Sequence, residues 1–112
     1  MLAKKNRLPS FLIPILFKQG KKINSKFFTL YFLKNNLSLS RWALTIPNKV
    51  EKQAAKRNRI KRWLRESVKV YLKDINSSFD VFILARPGLI SKGYTFIKTE
   101  VGVILNKAGL LK

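Results

Sequence analysis

A chain of 112 residues that is 46% apolar has room for one domain around a single core, and carries too much apolar surface for a disordered basic tail. Its 24 Lys and Arg against 5 Asp and Glu give a net charge of +19, which opposes compaction by self-repulsion and calls for an anionic partner, either nucleic acid or an acidic membrane surface. The absence of His and Cys excludes disulfides and thiolate zinc sites, and with them the commonest general base and the commonest thiol nucleophile.

A single domain is expected over residues 1–112, with 1–8 as a flexible basic arm. The arm lacks the apolar stretch and small-residue cleavage site of a signal peptide. The longest apolar run, Phe11 to Phe17, is interrupted by Pro14 and falls far short of the ~20 residues a membrane-spanning helix needs. Together with the missing cysteines, this points to a cytoplasmic protein. Ser10 is placed to cap a short helix reaching about Gln19, with Gly20 as its stop. Pro14 is tolerated if it lies in the first turn and kinks the helix if it lies deeper.

Residues 27–33 are aromatic and β-branched and read as a strand with two unlike faces. Phe28, Leu30 and Phe32 are all apolar, whereas Phe27, Thr29 and Tyr31 mix aromatic and polar groups. Asn35-Asn36 marks a turn. Arg41 to Ile46 reads as a second strand, with Trp42, Leu44 and Ile46 on one face and Arg41, Ala43 and Thr45 on the other, ended by Pro47-Asn48-Lys49. An amphipathic helix follows to about Lys73 and breaks at Asn76-Ser77-Ser78. Phe79 to Ala85 is nearly all apolar, as a strand buried on both faces would be. After the Arg86-Pro87-Gly88 turn, a last helix over roughly Gly93 to Ala108 stops at Gly109. The order αββαβα predicts an α+β, single-domain, two-layer sandwich of helices on one sheet.

The central helix carries the charge. Between Lys56 and Arg65 stand six basic residues and no acid. At 100° per residue, Ile60, Leu64, Ser67, Val68 and Tyr71 share one stripe, while Arg62, Arg65, Lys69 and Lys73 crowd the opposite pole. Arg59 and Lys61 flank that pole, and Arg57 points over the sheet edge. A solvated helix face normally alternates signs for support one turn apart; this one does not, and its start is rich in Arg, which suits bidentate phosphate contact. If Arg57 and Lys61 lean over a strand face bearing Thr29, Tyr31 and Thr45, the result is an aromatic and basic groove of the kind that holds single strands. A half-buried core edge at Tyr31 and Phe17 fits the same pattern equally well. The five acids, Glu51, Glu66, Asp74, Asp80 and Glu100, show no spacing that would place two metal ions ~4 Å apart, so neither catalytic nor metal-ligating residues are expected.

The stretch KRNRIKRWLRE (56–66) resembles the signature of the bacterial ribonuclease P protein component, the small basic subunit of the ribonucleoprotein that cuts the 5′ leader from precursor tRNA. The resemblance continues in order through FKQGKKINSKFFTLYFL (17–33), RWALTIPNKV (41–50), FDVFILARPG (79–88) and NKAGLL (106–111). It implies that catalysis belongs to an RNA partner using Mg²⁺, and that the fold contains a left-handed βαβ crossover. It implies catalytic-RNA contacts for the outward residues Arg59, Arg62 and Arg65, to which Lys69 adds on the same pole. It further implies that Phe17, Thr29, Tyr31, Thr45, Arg57, Asn58 and Lys61 hold the leader, with Ile13 and Lys49 at neighbouring positions of the same site. The chain departs from the family pattern in three places. Ile13 stands where an aromatic residue is common, Pro14 is unusual within that helix, and the loop Pro47-Asn48-Lys49 keeps only the final Lys of the usual Ser-Lys-Lys.

The partners expected on this reading are the catalytic RNA and the precursor tRNA leader, with neither membrane nor DNA. A structural ribosomal protein is the main rival, but such proteins typically carry their charge on long extensions rather than on a folded helix. A major-groove DNA reader would want a helix-turn-helix partner where this helix has strands. A membrane-surface helix would need to spare apolar residues that the core requires.

Overall fold

A computed structural model describes residues 3–76 and 78–112. Three helices, α1 (Ile13–Gln19), α2 (Ala54–Tyr71) and α3 (Tyr94–Lys107), accompany four strands, β1 (Lys21–Asn24), β2 (Phe28–Lys34), β3 (Arg41–Thr45) and β4 (Phe79–Ala85). The sheet order is β1-β2-β4-β3, antiparallel except for the parallel pair β3 and β4, which α2 connects. The fold is α+β, as expected, with one strand more than the sequence pattern suggested. The additional strand β1 pairs Lys21–Asn24 with Phe32–Thr29. It has one apolar residue among four and lies exposed at the sheet edge, so no alternation marked it.

The strand faces divide as their residues dictate. Phe28, Leu30, Phe32, Trp42, Val81 and Ile83 turn toward α2 and α3, where Ile60, Leu64, Val68, Ile97, Val101 and Ile104 meet them in one core. Each fully buried side chain of this size stabilises the fold by about 1.5–3 kcal/mol relative to exposure. Phe27 belongs to this core as well, rather than to the mixed face with Thr29 and Tyr31, because β2 begins one residue later. The α2–α3 contact is close: a Cβ on Gly102 would stand 2.3 Å from the Tyr71 hydroxyl, which donates to Lys98 O at 2.8 Å.

The short helix α1 lies on the other face, where Leu16 joins Leu8 and Phe82 in a second cluster flanked by Leu12, Ile13, Tyr31, Leu33, Ala43 and Leu84. Only α2 and α3 therefore form the helical layer of the expected two-layer sandwich. Coverage by α1 explains why β4 is buried on both faces. The helix starts at Ile13 rather than Ser10, which belongs to a preceding 3-10 turn. Pro14 thus falls in the first helical turn, where a missing N–H costs nothing. Gly20 ends the helix in an extended conformation, and a Cβ there would strike Leu16 O at 2.6 Å and Phe32 O at 2.9 Å. At the end of α3, Gly109 (φ +76°) bonds back to Asn106 O and Leu110 to Leu105 O, the Schellman arrangement.

The described part of the basic arm lies against β3. Arg7 bridges to Trp42, Leu8 N–H donates to Trp42 O at 2.8 Å, and Asn6 Nδ2 donates to Ser40 O at 2.9 Å. Leu8 is buried. Residues 1 and 2 of the arm, and Ser77 of the expected break, lie outside the described residues.

Candidate nucleic-acid interface

Strand register determines what the α1 face of the sheet offers. Across it, Lys22, Tyr31, Phe82 and Ala43 form one row, and Asn24, Thr29, Leu84 and Thr45 form the next. The first row is aromatic and sits beside α1. Phe17 packs edge-on to Tyr31 (centroids 4.8 Å apart) and to Phe82 (5.5 Å), yet stays half exposed at 53%. Lys22 Nζ lies 5.6 Å from the Tyr31 ring centre, within cation–π range. Ile13 is half-buried against the second cluster, one turn before Phe17.

The second row is not among the residues α1 covers except at Leu84, and a cleft of about 610 Å³ opens there. Lys22 and Asn24 of β1, Thr29 of β2 and Leu84 of β4 line it, with Lys49 from the β3–α2 loop and Arg86 from the turn after β4. Three cations from three separate elements therefore rim one cleft, and no acid lines it. The Thr29 hydroxyl is buried and donates to Asn24 Oδ1 at 2.9 Å, which fixes the Asn24 amide at the cleft wall. Thr45 is half-buried beside Leu84.

Helix α2 places its charges as its periodicity dictates. Ile60, Leu64, Ser67 and Val68 are buried, while Arg59, Arg62 and Lys69 are exposed and Arg65 is half-buried on the far side. Glu66 lies 4.0 Å from Lys69 Nζ, a loose pair one turn apart. The start of the helix differs from expectation. Arg57 Nη1 donates to Glu51 O at 2.9 Å and to Lys52 O at 2.8 Å, tying the incoming loop to the first turn. Arg57, exposed Asn58 and half-buried Lys61 are not among the residues lining the cleft. Of the predicted cleft set, the structure brings Thr29 and Lys49 into the lining, sets Thr45 and Tyr31 in the sheet rows at the cleft and beside it, and packs Phe17 of α1 against Tyr31.

Sequence reasoning missed Lys22, Asn24 and Arg86. The first two sit on the unrecognised strand, and Arg86 was read only as part of a turn. It also could not show that Arg41 is engaged elsewhere. The Arg41 guanidinium donates through Nε and Nη2 to the two carboxylate oxygens of buried Asp80, both at 2.8 Å, while Asn35 Nδ2 donates to Oδ1 at 2.8 Å. This hydrogen-bonded pairing raises the Arg41 pKa above its ordinary value, and burial opposes it only in part. Among the described residues no three carboxylates gather into an ion site, and no helix is long and apolar enough to cross a membrane.

The family model described as Ribonuclease P matches residues 3–109. The chain is 33% identical over 95 residues to the ribonuclease P protein component of Syntrophomonas wolfei, covering 85% of this chain and 79% of that protein. In structure it is similar to the Staphylococcus aureus RNase P protein, in a mutant with defective mRNA degradation activity, with a TM-score of 0.89 at 24% identity over 96% of this chain and 92% of that one. It is also similar to the Thermotoga maritima RNase P protein in complex with 1-(4-fluorophenyl)-2-thiourea, with a TM-score of 0.81 at 27% identity over 88% and 96%. A basic helix on a mixed four-stranded sheet, the matched family model and the sequence relative agree, and the chain belongs to the bacterial ribonuclease P protein component family.

Proposed function

We propose that this protein is the RNA-binding subunit of a cytoplasmic ribonuclease P ribonucleoprotein. In this reading Arg59, Arg62, Arg65 and Lys69 contact the phosphates of the catalytic RNA. The sheet face between Phe17 and Arg86 holds the single-stranded 5′ leader of precursor tRNA. The observation that carries the reading is the acid-free cleft rimmed by Lys22, Lys49 and Arg86 beside the ring pair of exposed Phe17 and half-buried Tyr31. Aromatic rings that can take a base, next to cations that can take a backbone, are what a single strand requires. Arg57 acts as a positioning residue here, since its two carbonyl contacts shape the loop that delivers Lys49.

The residues present do not fit a catalytic ion of the protein's own. The acids are dispersed, and Asp80 is committed to Arg41 and Asn35. Mg²⁺ bound by the RNA partner would supply the charge stabilisation that phosphodiester hydrolysis needs. The protein's contribution is to offset repulsion between two RNAs and to orient the leader.

Purified protein with Mg²⁺ and precursor tRNA should give no cleavage. Addition of the matching RNA should give a single cut at the leader boundary, at lower Mg²⁺ than the RNA needs alone. Site-specific hydrolysis by RNA-free protein that survives nuclease treatment would overturn this assignment.

A further inference from the structure

The cleft ends at Arg86 and Pro87, and beyond them lies a second cationic surface. The β1–β2 hairpin turns through Ser25 and Lys26; Ser25 N–H donates to Phe28 O at 2.8 Å, and the Ser25 hydroxyl accepts from Phe28 N–H at 3.1 Å. The turn after β4 lies against it. Arg86 N–H donates to Phe27 O at 2.9 Å, and Arg86 Nη1 donates to Ser25 O at 3.2 Å. Gly88, at φ +100°, lets this turn close over the Phe27 ring, whose Cε1 is 3.8 Å from where a Cβ would stand.

Two lysines from different segments converge on that ring. Lys26 Nζ lies 5.6 Å and Lys92 Nζ 5.9 Å from its centre, and Lys92 Nζ is also 5.3 Å from the centre of Phe96, which stacks edge-on to Phe27 at 5.0 Å. Attraction to an aromatic face holds an ammonium in place without neutralising it. Lys26, Arg86 and Lys92 are exposed, and none of them pairs with a carboxylate among the described residues. Glu100, one turn beyond Phe96 on α3, forms no ion pair there either. Two lysines held at the Phe27 ring, and Arg86 held by the Ser25 carbonyl in the adjoining turn, form a preorganised site for a partner whose negative charge repeats along its length. The rings are already partnered by the lysines, so the surface offers cations and no open platform for bases.

The geometry points to Lys26, Arg86 and Lys92 as a phosphodiester-binding station for single-stranded RNA that runs on past the cleft, namely the part of the leader farther along the strand. This inference rests on the proposed leader-binding role. It makes the contribution of these residues independent of base identity and dependent on leader length.

The test is the affinity of the reconstituted holoenzyme for precursor tRNAs with leaders of roughly 2 to roughly 15 nucleotides, a span that brackets single-strand site sizes. Lys26→Gln/Lys92→Gln would be compared with the wild type and with Lys107→Gln/Lys112→Gln, which removes the same charge elsewhere. For the longest leaders the Lys26/Lys92 variant should bind about tenfold more weakly near 0.1 M salt and show a salt slope smaller by about 1.4, two contacts at about 0.7 each. It should match the wild type for the shortest leaders, and the control variant should lose far less. Equal affinity at every length, or an equal loss at every length including mature tRNA, would overturn the station. If the wild type showed no leader dependence at all, the leader-binding role itself would fail. If leader dependence were lost in Tyr31→Ala but kept in the lysine variant, only the station would fail.

Discussion

Tyr31 is a packed ring that still reaches solvent in part, which makes it the most informative single residue. Phe17 meets it edge-on at 4.8 Å and Lys22 caps it at 5.6 Å, but its position on the open sheet face leaves it only half-buried. If a leader base rests there, Tyr31→Ala should weaken precursor tRNA binding by about 1–3 kcal/mol. Mature tRNA, which lacks the leader, should bind the variant and the wild type alike; equal losses for both would make Tyr31 a core residue only. Asp80 poses the opposite case, a charge whose role is structural. Its carboxylate accepts from Arg41 and Asn35, and its side chain is 7% exposed against 21% for Arg41. Because the Arg41 pKa is raised, this pairing stabilises the fold below the ordinary arginine range and is lost only as pH climbs through the raised value, so neutral pH does not touch it from the arginine side. Asp80→Ala leaves a half-buried guanidinium without its partner. Partial water access should keep the cost to about 1–3 kcal/mol, below that of a fully buried pair. A urea titration should show a lower midpoint with an unchanged slope.

Helix α2 divides its work by face. Its 18 residues, roughly 27 Å of helix, close the core with Ile60, Leu64 and Val68 and leave arginines facing water. The repulsion among those arginines weakens the isolated helix by about 0.2–0.5 kcal/mol per close pair, so tertiary packing must supply what local electrostatics take away. Removing the charge should therefore leave the fold intact while impairing RNA binding. Arg62→Ala/Arg65→Ala should weaken binding to the catalytic RNA and lower the salt slope by somewhat under 1 for each lost phosphate contact. Affinities measured at several salt concentrations decide the matter. A double variant with an unchanged slope would take these residues out of the RNA interface.

Over the whole molecule, a charge of +19 on 112 residues makes the free protein an incomplete electrostatic object. Arg41 pairs with Asp80 and Lys69 lies beside Glu66, but five acids can offset only a small share of 24 cations. Simple salt should raise the melting temperature by screening that self-repulsion. A non-cognate RNA at the same ionic strength should raise it further, because a polyanion that binds the folded state adds its binding free energy to stability. Equal melting temperatures in salt and in RNA, followed by differential scanning fluorimetry, would show that the charge is not arranged on the surface for a polyanion.

The sequence alone determined the elements with strong periodic signals: the course of α2, the strand Phe79–Ala85, the apolar face of Phe28, Leu30 and Phe32, and the glycine that ends α3. Those features follow from side-chain spacing, which survives in one dimension because a buried stripe must repeat with its element. The bacterial ribonuclease P resemblance was legible for the same reason, being carried by contiguous blocks. Tertiary structure decided the rest. Lys21–Asn24 became a strand because β2 offered it an edge, not because four mostly polar residues prefer to extend. Arg57 turned back to its own loop, since two carbonyls lay within reach of Nη1, and Arg41 was taken by an acid 39 residues away. The cleft itself gathers Lys22, Lys49 and Arg86 from three elements. Their convergence depends on strand order and register, which no local pattern encodes.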